Sequence, residues 1–331
     1  MLTRQSNIEL CRLASILLVL IVHTTQSSLG CNMSLGTYLL EGFSIIGVNV
    51  FILITGYFSA TPKKNSLINL AFICLFWTVV KIICRLYCCD PTTYQNLFFI
   101  TSSSWFIPCY IGMLLLSPIL NLFCNTVSKQ VLWRVVAALL LFEFWFDWLP
   151  PRPEGGIGAN YGYSVFSFCI LYLLARAIRL YGLPQWFKKY SYLIYLGCSI
   201  LLGITAWIGA LLGYGHEISG GCFFYNNPLV VLSSVAFFMI FEQVNLQSQT
   251  INHIAKSTLA VLLGNNAIFS LYTKQFKYLF DNYNGVLLIA YWSFAIALVF
   301  CACILVDQLR LLLYKPIDHF LKHIIKKNNI F

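Results

Sequence analysis

The stretch NIELCRLASILLVLIVHT, residues 7–24, decides the fold. At its centre LASILLVLIV runs for ten residues without a charge, bracketed by Arg12 and His23. The apolar run continues from Ile8 to Leu29, enough for a helix rising about 1.5 Å per residue to cross a hydrocarbon layer about 30 Å thick. Arg12 and His23 are eleven residues apart, which is about 16 Å of helix axis. At about 100° per residue they return to within about 20° of one another in azimuth. They lie on one stripe, and ionisable groups at such depth face a bundle interior or an aqueous cavity rather than lipid.

Composition extends this reading to the whole chain. Of 331 residues, 59% are hydrophobic and 10% charged, and the mean hydropathy is +0.78. A soluble domain carries about 25% charged residues, so the composition excludes one and predicts an all-α, polytopic integral membrane bundle. The net charge of +10 does not point to nucleic acid, because the basic residues are strung out between apolar segments. The thirteen cysteines are scattered without a CxxC and read as small packing residues. A bridge among Cys31, Cys88, Cys89 and Cys222 is left open, and no metal site is indicated.

Windows of about 20 apolar residues predict ten spans: 8–29, 36–59, 67–88, 103–125, 130–149, 163–181, 190–213, 225–244, 257–279 and 284–314. No A-x-A-like cleavage site follows the first, which therefore reads as a retained span. Sixteen of the twenty-one Lys and Arg residues fall at one set of span ends, which places both termini in the cytoplasm and favours an even span count. Arg12 then belongs to the inner half of the membrane and His23 to the outer half. Glu41, one turn into the second span, comes to a depth close to His23, where a carboxylate can orient the imidazole and raise its basicity. The organisation is a transmembrane domain over 1–314 and a basic amphipathic tail over 315–331, whose IDHFLKHIIKKNNIF suits an anionic inner leaflet.

NIELCRLASILLVLIVHT resembles the opening of the membrane acyltransferase-3 family, whose first helix carries an Arg and a His separated by ten residues. GVNVFILITGYF (47–58) is similar to that family's second span, with Asn49 where many members have Asp and Thr55-Gly56-Tyr57 at the closing turn. SSSWFIPCYIGMLLLSPILN (102–121) resembles its tryptophan-containing fourth span. YNNPLVVLSSVAFFMIF (225–241) and INHIAKSTLAVLL (251–263) resemble the late spans of its polysaccharide-modifying branch. Two stretches depart from the pattern. The loop after the second span reads TPKKNS in place of an arginine-rich motif, and LLGNN places Asn265 where many relatives have a second histidine.

The resemblance implies a transferase that moves an acetyl or other small acyl group from cytoplasmic acyl-CoA, a co-substrate rather than a bound cofactor, to a glycan hydroxyl. The acceptor would be a surface or secreted polysaccharide or its lipid-linked precursor, and the setting the bacterial inner membrane. His23 is then the general base with Glu41 beside it. Arg12, Lys63 and Lys64 are candidates for the donor's phosphates. Asn49, Tyr57, Trp105, Tyr110, Asn121 and Asn265 are candidates for lining the acceptor site or cavity. A transporter or flippase of a glycan or lipid, which also needs intramembrane charges around a cavity, is the alternative. The sequence leaves the oligomeric state open.

The remaining polar residues have two readings each. Lys81 and Arg85 share a face near a span end and would snorkel. Ser117 and Asn121 could bond to a neighbouring helix or meet substrate. Glu143 and Asp147, in EFWFDWLPP, either bind an acceptor sugar or belong to a solvated connection. The loop GYGHEISGGCFFYNNP has the same ambiguity, and within it His216 beside Glu217 reads either as a catalytic pair or as an ordinary loop neighbour pair, while Arg176, Arg179, Lys188 and Lys189 read as a topology signal.

Overall fold

The computed structural model describes residues 5–25, 34–88, 105–148, 158–214, 218 and 220–328. Among them 85% are helical and none is in a strand, the outcome expected where no water is available to satisfy an open backbone. The helices are α1 (Ser6–His23), α2 (Leu35–Ser44), α3 (Gly47–Tyr57), α4 (Lys64–Tyr87), α5 (Phe106–Thr126), α6 (Lys129–Trp148), α7 (Val165–Tyr181), α8 (Gln185–Lys189) and α9 (Ser191–Leu211). They continue with α10 (Pro228–Glu242), α11 (Gln249–Ile254), α12 (Thr258–Ala267), α13 (Phe269–Asn282) and α14 (Gly285–Asn328).

Among the described residues six helical segments are long and apolar enough to cross a membrane, or up to seven if the bent pair around Ile268 counts as one span. The ten apolar windows outnumber these segments for identifiable reasons. Helix α6 carries Arg134, Glu143 and Asp147, while α7 and α10 have only 17 and 15 residues. The window over 257–279 is no straight span, since its two helical arms meet at 73°. Helix α14 runs without a break through residue 314 and past Pro316, so the last span and the basic tail share one helix.

The chain divides into two compact units, Met1–Thr61 with Trp105–Ala255, and Pro62–Ser104 with Lys256–Phe331. The first unit is organised around α3, which packs on α1, α7 and α10 and is buried along almost its whole length. Close packing at α3 rests on missing side chains. A Cβ on Gly56 would lie 2.7 Å from the Tyr172 carbonyl oxygen and 2.9 Å from the Ala175 Cβ on α7. Gly42 and Gly203 allow a similar approach of α2 and α9. Small residues serve this purpose in membranes, where apolar lipid removes the usual hydrophobic drive for helix association.

In the second unit α12 packs on α4 and α14. Gly264 meets the Trp77 ring and the Cys303 sulfur there. Nearby, Asp307 and Arg310 form an ion pair within α14, both fully buried, and Arg310 also donates to Asn69 at 3.3 Å. Lys81, expected to snorkel, is instead buried.

Candidate functional site

The first unit has a polar cluster at each end of α1. At the C-terminal end, the connections that precede α7 and α10 cross. The Tyr225 amide donates to the Tyr161 carbonyl at 3.1 Å, and Gly162 sits so close to Tyr225 and Asn226 that a side chain there would collide with them. Asp147, from the end of α6, ties the crossing. Its Oδ2 accepts the Tyr161 amide at 2.7 Å and the Asn226 side-chain amide at 2.6 Å. One turn earlier Glu143 accepts from the Ser167 hydroxyl. These two carboxylates therefore serve the protein's own donors and are buried, neither solvated nor open to a sugar. Sequence pattern placed them on one face but could not show that the next connection folds back over them.

The crossing brings Tyr163 and Tyr225 together. Their rings are 4.8 Å apart, and Trp105 lies 4.5 Å from Tyr163 and 5.5 Å from Tyr225. Both tyrosines lie in connecting segments outside the helices. Burial holds the Tyr163 phenol above its ordinary pKa, and the nearby Glu41 carboxyl adds to the shift. Tyr225 is raised further by burial, then by Tyr163 and Glu41. Glu41 on α2 thus faces a pair of phenols. Beneath them Asn49, fully buried on α3, donates to the Tyr225 carbonyl at 2.7 Å, and its Oδ1 has no hydrogen-bond partner. His23 is the last residue of α1, half-buried, on the helix that packs against α2. The cluster at this end therefore comprises Glu41, Asn49, Trp105, Tyr163 and Tyr225, with His23 on the adjoining helix end. Tyr163 and Tyr225 carry no sequence signal, since aromatic residues at a predicted span edge read as an interfacial belt.

At the N-terminal end of α1 a cavity of about 910 Å³ opens among the ends of α1, α3, α7 and α10 and the segment 242–249. Side-chain amides of Gln5, Asn7, Gln243 and Asn252 line it. At its wall the Tyr57 hydroxyl accepts from Arg179 at 3.0 Å and donates to Glu242 at 3.3 Å. The Arg179 guanidinium also lies over the Tyr57 ring, 4.8 Å from its centre, an arrangement favoured by the negative face of the ring. Lys188 approaches the other oxygen of Glu242 at 3.9 Å. Arg179 is exposed and has no carboxylate within salt-bridge distance among the described residues. With five N–H donors on a guanidinium, it has capacity for an anion. Sequence pattern reads Arg179 as a topology signal and does not single out Glu242.

The other expected residues have these places. Arg12 forms an ion pair with Glu9 at 3.0 Å, one turn back on α1, and does not line the cavity. Glu9 was not anticipated, although its spacing of three residues from Arg12 is a helical pairing distance. Lys63 and Lys64 are exposed at the start of α4, in the second unit. Tyr110 stacks on Phe106. Asn121 accepts from Tyr172 at 2.9 Å and donates to Ser59 at 3.4 Å, joining three segments of the first unit. Asn265 accepts from the Tyr272 hydroxyl across the break at Ile268, with both side chains buried. Cys31, Cys89, His216 and Glu217 lie outside the described residues, and among those described the cysteines, Cys88 and Cys222 included, are free thiols.

Compared with known proteins, residues 5–307 match the family model described as an acyltransferase domain. No curated protein and no solved structure matches the chain.

Proposed function

Because this chain belongs to that acyltransferase family, whose model covers nearly all of it, we propose that it moves an acetyl or other small acyl group from cytoplasmic acyl-CoA to a glycan hydroxyl. The acceptor is a surface or secreted polysaccharide or its lipid-linked precursor, and the enzyme works in a bacterial cytoplasmic membrane. The observation that carries this reading is the polar site at each end of α1. An anion-accepting cavity with Arg179 suits the phosphates of coenzyme A at one end, and His23 with the cluster around Glu41 suits a hydroxyl at the other. Arginine is suited to phosphate because its planar fork can bond two oxygens at once. Arg12, on the first turns of the same helix, is paired with Glu9 and leaves the phosphates to Arg179.

In this mechanism the acceptor oxygen attacks the thioester carbonyl carbon while its proton passes to the neutral imidazole of His23. A neutral imidazole has one ring nitrogen free to accept that proton. The tetrahedral intermediate then breaks its carbon–sulfur bond. The thiolate of coenzyme A takes up the proton that His23 held, so the products are an ester and a free thiol. Glu41 orients the imidazole, and the phenols of Tyr163 and Tyr225 are donors available to the acceptor or to the developing oxyanion.

The test is transfer of label from acetyl-CoA to acceptor glycan in membranes holding the wild type or His23→Ala. The wild type is expected to form an alkali-labile ester, and the variant to lose at least 100-fold in rate at equal protein level. Unchanged transfer in the variant would remove His23 from the mechanism. The break at Ile268 is the observation that favours a transporter, since interrupted helices build transport sites in membranes. Absence of transfer with any acyl donor and matched acceptor, together with solute movement sensitive to His23→Ala, would establish that alternative.

A further inference from the structure

A second cavity, of about 370 Å³, lies on the flank of the first unit where α6, α7 and α10 meet. Phe144, Leu174, Ile178, Val231 and Val235 form its walls. Along α10 the lining advances from Pro228 to Val235, about 10 Å of helix. Phe187 belongs to the far end, because α8 is held to the C-terminal end of α10 by the bond from Gln243 to the Lys188 carbonyl. The long axis therefore follows the helices. The rim is open, with Leu141 67% and Leu232 40% exposed, and both lie on faces that a bilayer would cover.

Among the described residues Asn226 is the one polar residue of the lining, and it stands at the opposite end from Phe187. It is 5% exposed. Its Nδ2 donates to Asp147, while its Oδ1 is buried without a hydrogen-bond partner. A buried carbonyl oxygen without a donor is costly and rare, so a small turn of this amide toward the slot lets a ligand bearing an O–H or N–H at that end supply the bond that Oδ1 lacks. Asn226 also follows Tyr225 directly, which puts the polar end of the slot beside the phenol pair and Glu41.

We propose that this slot holds the hydrocarbon chain of a lipid whose head carries a hydroxyl or amide donor to Asn226 Oδ1, so that the acyl acceptor is presented as a lipid-linked glycan rather than a free polysaccharide. The lining selects the occupant: an aqueous sugar chain finds a single polar residue along the slot, whereas a single alkyl or isoprenoid chain finds apolar contact along its whole length. The identity of the lipid as acceptor rests on the acyl-transfer reading; the occupancy of the slot does not.

The experiment uses the full chain in nanodiscs with two photoactivatable probes, a long-chain alkanol bearing a diazirine and the corresponding methyl ether, which has no donor. Digestion and mass spectrometry then locate the label. The alkanol is expected to label 140–144 and 228–235 at least fivefold more than the lipid-facing residues 192–204 of α9, with the ether losing most of that preference. Leu141→Trp, at the exposed rim where folding is little disturbed, should cut slot labelling at least fivefold and leave α9 labelling unchanged. Val231→Phe, which fills the slot from inside, should do the same. Labelling spread evenly over all lipid-facing helices, or undiminished in both variants, overturns the proposal. Equal labelling by alkanol and ether overturns the role of Asn226. If the slot is labelled while acetyl transfer to every acceptor is absent, only the enzymatic reading fails. If transfer persists without slot labelling, only the slot fails.

Discussion

Asp147→Ala perturbs the crossing on which the cluster at the C-terminal end of α1 depends, and its cost can be worked from the structure. The carboxylate is 6% exposed and accepts two hydrogen bonds, from the Tyr161 amide at 2.7 Å and from Asn226 at 2.6 Å. A hydrogen bond to a charged group contributes about 1.5–3 kcal/mol, so loss of both costs about 3 kcal/mol at the low end. At about 1.4 kcal/mol per decade this is a rise of roughly 100-fold in the local opening equilibrium. Tyr161 and Asn160 hold left-handed backbone, with φ of 57° and 48°, which non-glycine residues keep only where the surroundings enforce it. Opening should therefore be confined first to the segment 159–164. The assay is hydrogen–deuterium exchange of the intact protein in nanodiscs, read on peptides over 159–164 with α9 peptides as control, because exchange reports local opening free energy. Asp147→Ala is expected to accelerate exchange of that segment about 100-fold and leave α9 unchanged. Asp147→Asn keeps an accepting oxygen and loses the charge, so its acceleration should be about 10-fold. An acceleration below about threefold in Asp147→Ala would refute the claim that this carboxylate holds the crossing.

Arg179→Gln should raise the KM for acetyl-CoA about 10-fold with little change in kcat, as loss of one charge-assisted bond to phosphate requires; steady-state kinetics in nanodiscs checks it. Arg310→Met leaves Asp307 buried without its cation and should cost about 3–5 kcal/mol in unfolding free energy, whereas Asp307→Leu with Arg310→Met should recover most of it. Steric trapping or reversible denaturation in mixed micelles measures both, and a double variant no better than the single one counts against the pair being a replaceable ion pair. Gly56→Ala puts a methyl group 2.7 Å from the Tyr172 carbonyl oxygen, and overpacking of this kind costs about 1–3 kcal/mol. The expected result is a lower Tm of the detergent-solubilised protein; an unchanged Tm would mean that α3 and α7 can separate without loss.

Chain separation sets the limit on what residue patterns could show. Tyr57, Arg179 and Glu242 stand at the ends of three different helices, more than sixty residues apart in every pairing. Each is unremarkable in its own segment, and the basic character of Arg179 was fully accounted for by the positive-inside rule. Asp147 illustrates the same limit in reverse. Its face on α6 was readable from helical periodicity, but its partners come from the connection 14 residues later and from Asn226, 79 residues away. Asn265 looked like a replaced catalytic residue, and the structure adds its partner, Tyr272, across a bend that hydropathy reads as one continuous span.

By itself the sequence determined the solvent of this protein, its all-helical class, its family and the common stripe of Arg12 and His23. These properties follow from composition, from hydrophobic run length and from the 3.6-residue period, all of which are local along the chain. Tertiary structure decided which helix ends meet. It gave Arg179 to Tyr57, set two phenols beside Glu41 and folded the acidic end of α6 beneath a crossing of two connections. Those outcomes depend on how closely α3 can approach α1, α7 and α10, which is set by packing between residues far apart in sequence.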